Sequence, residues 1–223
     1  MTEVRGRRVV EPVEQESTAS MVADRIRDAI ANGDIPPGTQ LLEVDYAAQL
    51  GVSSGPLREG LQRLTQEGLL VAHRNRGLFV IEMSPENVAD IFVAREAVER
   101  AAAAQIHDGD SWAVAMALLE VVDTMATAGA QGDVRRVSEA EALFHQVLVE
   151  HAGSPRLTRI HRTLLTETRM CIHAMEHTHQ LDERRVAEHR AIAESFKRDD
   201  PILTDRLLVA HMRDAAERLT GDD

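Results

Sequence analysis

The stretch Leu50-Gly51-Val52-Ser53-Ser54-Gly55-Pro56-Leu57-Arg58-Glu59-Gly60-Leu61-Gln62-Arg63-Leu64 decides the fold of the N-terminal third of this chain. Gly51 can close one helix by taking a left-handed φ, and Ser53 is placed to cap the next. Pro56 would break a helix interior, but three residues after the cap its missing N–H is one that the first turn leaves unpaired anyway. Leu57, Leu61 and Leu64 then form one buried stripe, so the helix runs to about Gln66, with Ser54, Gly55 and Arg58 pointing elsewhere. An outward arginine near the start of such a helix suits the reading of bases or phosphates in a major groove.

Upstream, a short helix from about Glu43 to Leu50 follows the turn Ile35-Pro36-Pro37-Gly38, which two prolines keep from being helical. Before that turn, Met21, Val22, Ile26 and Ile30 recur at helical spacing from Ser17 onward, and Gly33 is placed to end that helix. Downstream, Leu69 to His73 and Leu78 to Ile81 flank Arg74-Asn75-Arg76-Gly77, a two-stranded hairpin with two arginines at its tip. Three helices and a basic hairpin describe a winged helix-turn-helix over residues 17–82. Its expected partner is double-stranded operator DNA, touched by Ser53, Ser54, Gly55, Arg58 and Arg63 of the third helix and by Arg74, Asn75, Arg76 and Gly77 of the wing. Residues 1–16 lack periodicity and read as a flexible arm, either a plain disordered tail or one whose Arg5, Arg7 and Arg8 reach DNA.

The whole chain of 223 residues carries a net charge of −12, which by itself argues against nucleic acid. The charge is uneven, however: residues 1–80 contribute −2 and residues 81–223 contribute −10. Aromatic residues make up 3%, so the cores must come from Leu, Val, Ile, Ala and Met, and the fold is expected to be mainly α. The single cysteine, Cys171, excludes a disulfide framework and any multi-cysteine zinc module. The longest apolar run, Trp112 to Leu119, is short for a membrane span and no secretory signal is visible, so a cytoplasmic protein without membrane attachment is expected.

Ser84-Pro85-Glu86 is a cap, a proline at the first helical position and an acid in the first turn, and opens a second domain over residues 84–223. Helical segments at about 85–107, 110–128, 133–152, 155–180, 182–198 and 200–220 predict an antiparallel six-helix bundle. Polar groups fall inside its apolar stripes. Glu141 and His145 share a face with Val134, Val137 and Leu148; His189 shares one with Val186, Ala193 and Phe196; His211 shares one with Leu208, Ala215 and Leu219. A buried polar group without a partner costs roughly 2–7 kcal/mol, so these four must satisfy one another. Either each histidine finds a backbone carbonyl, or one divalent metal takes all four, a donor set that suits zinc, nickel, manganese or iron. His173 and His177 fall with Arg162 and Arg169 on the opposite face of their helix and read as solvated or subunit-facing. His73, His107, His151, His161 and His179 carry no assigned role.

The segments Ile30 to Leu41, Leu50 to Leu64, Glu67-Gly68-Leu69-Leu70 and Arg76-Gly77-Leu78-Phe79-Val80 closely resemble the GntR family of bacterial transcription regulators. That resemblance implies operator contact by Arg58 and by the wing around Asn75 to Gly77. Ser54 stands where members commonly carry arginine, and Val44 where the fatty-acid regulators of the family have another. Ile91 to Glu99, Glu141 to His145, Gly153 to Leu157, Glu188 to Ile192 and Leu208 to Met212 look like the FCD effector-binding domain of the FadR subfamily. The resemblance implies a metal on Glu141, His145, His189 and His211, with glutamate at 141 in place of the usual aspartate.

Arg95 lies on the inward stripe of the first bundle helix. Its partner is either Glu99 at i+4 or the carboxylate of a small organic acid, the usual effector chemistry that the resemblance implies. The chain is therefore expected to be a homodimeric regulator whose metal, zinc foremost, and Arg95 hold a small carboxylate effector. The alternative is a regulator that senses the metal ion directly. A metallohydrolase is not expected, because no separate general base or oxyanion device is evident.

Overall fold

The computed structural model describes residues 17–174 and 183–221. The expected N-terminal arm, His177, His179 and the side chain of His173 lie outside what is described. The first three helices are α1 (Thr18–Ala31), α2 (Glu43–Leu50) and α3 (Ser54–Gln66). Ser17 caps α1 by accepting from the Ser20 backbone N–H. Ser53 occupies the N-cap of α3 but makes no side-chain cap bond. Pro56 stands at the third helical position and has no N–H to offer, which removes one of the two donors that such a cap uses. The Ser53 hydroxyl is thereby left on the exposed face with Ser54 and Gly55.

The wing is a three-stranded sheet rather than the two-stranded hairpin expected. Strand β1 (Gln40–Leu41) pairs antiparallel with β3 (Gly77–Val80), which pairs on its other side with β2 (Leu70–His73). A two-residue strand just after the Pro-Gly turn has no alternation to reveal it. Asn75 at φ 61° and Gly77 at φ 97° supply the left-handed conformations that close the tip. The core of this domain is Val22, Ile26, Ile30, Leu57, Leu61, Leu64, Leu69, Leu70 and Val80, all buried.

Among the described residues six helices form the bundle: α4 (Pro85–His107), α5 (Ser111–Ala130), α6 (Val134–His151), α7 (Pro155–Ala174), α8 (Glu183–Lys197) and α9 (Pro201–Thr220). Ser84 caps α4 and accepts from the Asn87 N–H, with Pro85 at its first position. Asp110, Asp133 and Asp200 cap α5, α6 and α9 in the same manner. Helix α5 extends the apolar run beyond Leu119 and is long and apolar enough, by length and composition, to cross a membrane. Here it is a core helix: Val114, Ala115, Leu118, Val122, Met125 and Ala128 are buried against α6 and α8. Helices α4 and α9 pack together, and α7 lies against α4 and α6 while also touching α1. Met170 of α7 is buried in the core of the winged domain, and Arg169 donates to Asn32. One helix thus belongs to both domains' packing.

Candidate metal centre and nucleic-acid face

On the winged domain, Ser53, Ser54, Gly55, Arg58, Arg63 and the wing residues Arg74, Asn75, Arg76 and Gly77 are exposed. Arg58 Nε donates to Glu43 Oε2 at 2.6 Å, so α2 steadies the guanidinium that α3 projects. Arg63 differs from the rest. It lies in the last turn of α3, donates to Ser20 Oγ at 3.0 Å and faces Glu67 at 3.5 Å. Glu67 also receives a bidentate pair from buried Arg27, which makes this end of α3 a structural clasp onto α1.

In the bundle, α6, α8 and α9 bring His145, His189 and His211 together, with their ring nitrogens within 4.8 Å of one another and all three side chains buried. His145 Nε2 stands 3.4 Å from His189 Nε2 and 3.2 Å from His211 Nε2. Each opposite ring nitrogen has an acceptor: His145 Nδ1 faces Glu99 Oε2 at 2.7 Å, His189 Nδ1 the Arg185 carbonyl at 2.8 Å, and His211 Nδ1 Glu188 Oε2 at 3.2 Å. An acceptor can be served only by N–H, so each Nδ1 carries the proton and each Nε2 turns a lone pair inward. Burial, the largest effect, holds His145 and His189 down at about 4 and lowers His211 too, so the rings are neutral near pH 7.

Lone pairs facing lone pairs repel, and a cation at their centre removes the conflict. Tetrahedral zinc with nitrogen ligands at about 2.0–2.1 Å requires neighbouring nitrogens ~3.3 Å apart, which matches the two distances above. The donor set fits a borderline divalent metal, and the carboxylate or carbonyl behind each ring is the outer support such ligands use.

Glu141, the expected fourth ligand, is one turn before His145 on α6 but is not brought into this group. Its Oε2 instead accepts from Arg185 Nη1 at 3.1 Å. Burial opposes its ionisation, yet Arg185 and then the three imidazoles bring the carboxyl down to about 2. Arg95 is 3% exposed and takes its i+4 partner: Nε and Nη2 donate to Glu99 Oε1 at 3.1 and 2.9 Å, and Nη1 to Thr168 Oγ1 at 3.3 Å. A cavity of about 290 Å³ lies beside the triad, lined among others by Phe92, Arg95, Glu141, Thr168, Arg185 and His211. That is near the lower end of small-molecule sites.

Two residues at the centre of this network do more than the sequence indicates: Glu99, read there only as a possible i+4 partner of Arg95, and His161, given no role. Glu99 is fully buried and accepts from Arg95, from His145 and from His161 Nε2 at 3.0 Å. His161 is itself 2% exposed. Glu99 had a legible signal in its place on the Val88–Ile91–Arg95 stripe, whereas His161 had none, since α7 is amphipathic without it.

Residues 18–80 match the family model described as bacterial regulatory proteins, gntR family, and residues 90–214 match the FCD domain. A probable D-xylose utilization operon transcriptional repressor from Paenarthrobacter nicotinovorans is 30% identical over 200 residues, covering 88% of this chain and 86% of its own. An uncharacterized HTH-type regulator from Agrobacterium vitis is 33% identical over 131 residues, 57% of this chain and 77% of the relative. Among solved structures, a putative GntR regulator from Rhodococcus sp. RHA1 aligns with a TM-score of 0.76 and 26% identity over 92% of this chain and 98% of the other. E. coli McbR/YncC aligns at 0.81 with 20% identity over 93% and 99% of the two chains, a likeness of fold.

Proposed function

The chain is a DNA-binding transcription regulator of the gntR family with an FCD domain, and we propose that a small organic acid, bound beside a divalent metal in the bundle, controls its operator affinity. The convergence of three inward imidazole lone pairs carries this reading. His145, His189 and His211 would hold the metal, zinc foremost with nickel, manganese or iron as candidates, and Glu141, which lines the same cavity as His211, would join them as the fourth ligand. The metal would supply a Lewis acid for one oxygen of the effector. Arg95, which lines the cavity, would add positive charge that favours an anion.

On the DNA side, Ser53, Ser54, Gly55 and Arg58 would meet the major groove and Arg74, Asn75, Arg76 and Gly77 the adjacent backbone or minor groove. Arg63 would contribute a phosphate contact if it leaves Ser20. A homodimer would present two such faces to adjacent half-sites. The acid favours one packing of the bundle, and the segment Met83 to Pro85 passes that choice to the spacing of the two readers as a shift between states. The setting is the cytoplasm, where operator DNA is found.

A direct metal sensor without organic effector is the second reading. It is favoured by Arg95, whose Nε, Nη1 and Nη2 already serve Glu99 and Thr168. Both readings are tested on full-length protein with an operator selected from random DNA. The acid-and-metal reading expects carboxylic acids to change the affinity of metal-loaded protein about tenfold, within the usual range of such coupling, and EDTA to abolish the change. If metal alone produces the whole response, the second reading holds; if neither EDTA nor any acid alters binding, both fail.

A further inference from the structure

The cavity beside the triad contains two buried arginines of unequal availability. Arg95 is committed to Glu99 and Thr168, and withdrawing it would leave a fully buried carboxylate without its guanidinium, held by two imidazoles alone. Arg185, at the start of α8, has one carboxylate partner among the described residues, Glu141, met through Nη1. It also reaches the triad through its backbone, since its carbonyl accepts His189 Nδ1–H. The ionised Glu141 on the same wall opposes any anion that enters while it stays there.

We propose, resting on the metal-and-acid reading above, that Arg185 rather than Arg95 receives the carboxylate of the effector and in doing so releases Glu141 to join the three histidines as a ligand. Arg185 then trades one carboxylate for another, a like-for-like exchange on its planar fork. Glu141 loses a guanidinium and gains the cation. Without the cation the exchange leaves Glu141 buried and unpaired, and without the acid the cation must compete with Arg185 for it. Each ligand therefore strengthens the binding of the other, as linkage requires. A glutamate suits this double duty, because its extra methylene gives one backbone position two targets.

The test is the zinc affinity of the full-length protein, measured by competition with a chromophoric chelator. Arg185→Gln unclamps Glu141 and is expected to bind zinc about tenfold tighter than the unsubstituted protein, within the range of such couplings. The gain should vanish in the Glu141→Gln/Arg185→Gln double variant. Acetate or L-lactate at a concentration of about 20 mM should tighten zinc on the unsubstituted protein about threefold or more and leave Arg185→Gln unchanged. Should Arg185→Gln lose its helical circular dichroism, Arg185→Met, which keeps the length of the stem without the charge, replaces it, with the same expected direction. Unchanged zinc affinity in the folded variant, or an acid effect that persists in it, overturns the clamp while leaving the metal-and-acid reading intact. Failure of the unsubstituted protein to bind zinc overturns both.

Discussion

At the scale of single residues, Glu99 is tightly constrained. It is fully buried, accepts from Arg95, His145 and His161, and burial, which opposes its charge, is outweighed by His145 and Arg95, so that its carboxyl stays well below the usual range. Glu99→Ala should therefore leave Arg95 buried without a counter-charge and His145 free to turn, at a cost of about 3–5 kcal/mol. Thermal unfolding of the metal-free protein checks this, and a loss below about 1 kcal/mol, the worth of an exposed pair, contradicts it. A lone i, i+4 Arg–Glu pair in a sequence says nothing about depth. Arg95 and Glu99 could be recognised from the stripe of α4, but the third and fourth partners come from α6 and α7, and no spacing within α4 points to them.

Helices show the same division. The caps and breaks that bound α3, α4, α5, α6 and α9 are local chemistry, Asp or Ser before a first turn and Gly or Pro around it, as is Gly51 at the end of α2, and they are legible residue by residue. The dual role of α7 was not. His161 and Thr168 touch the Glu99 and Arg95 network, whereas Arg169 and Met170 engage the winged domain. Only the docking of the two domains puts those residues to different uses. Between the domains a cavity of about 630 Å³ is lined by Ile81, Met83, Asp90, Arg159 and Glu167, among others. Burial first, and Asp90 second, push Glu167 up from 4.5 to about 7. Between those values the folded state keeps a proton that the unfolded chain releases, so this contribution to stability is full below about pH 4.5 and is lost as the pH rises through 7. Glu167→Gln is expected to raise the melting temperature at pH 8 by about 3 °C, the scale of 1 kcal/mol for a domain of this size. No gain is expected at pH 5. An equal gain at both values would show that the charge is not the cause.

At the scale of the whole molecule, a DNA-reading domain with an exposed arginine face is joined to a bundle whose interior concentrates histidine and carboxylate. The division into a winged domain and a helical bundle could be read from capping and periodicity, because each depends on near neighbours in the chain. The three histidines could be read as inward-facing for the same reason. Their convergence could not, since His145, His189 and His211 are brought within reach of one another only by the mutual packing of α6, α8 and α9. Glu141 shows the limit most plainly: the i, i+4 spacing to His145 is right for a shared ligand, yet Arg185 from another helix holds its carboxylate. The central claim is that these three imidazoles share one cation, and X-ray absorption on the full-length protein after zinc loading and removal of loose metal tests it most directly. The account predicts one zinc per chain with three imidazole nitrogens at about 2.0–2.1 Å, and no retained zinc when all three histidines are changed to alanine. Zinc coordinated by fewer imidazoles, or retained in the triple variant, would contradict it.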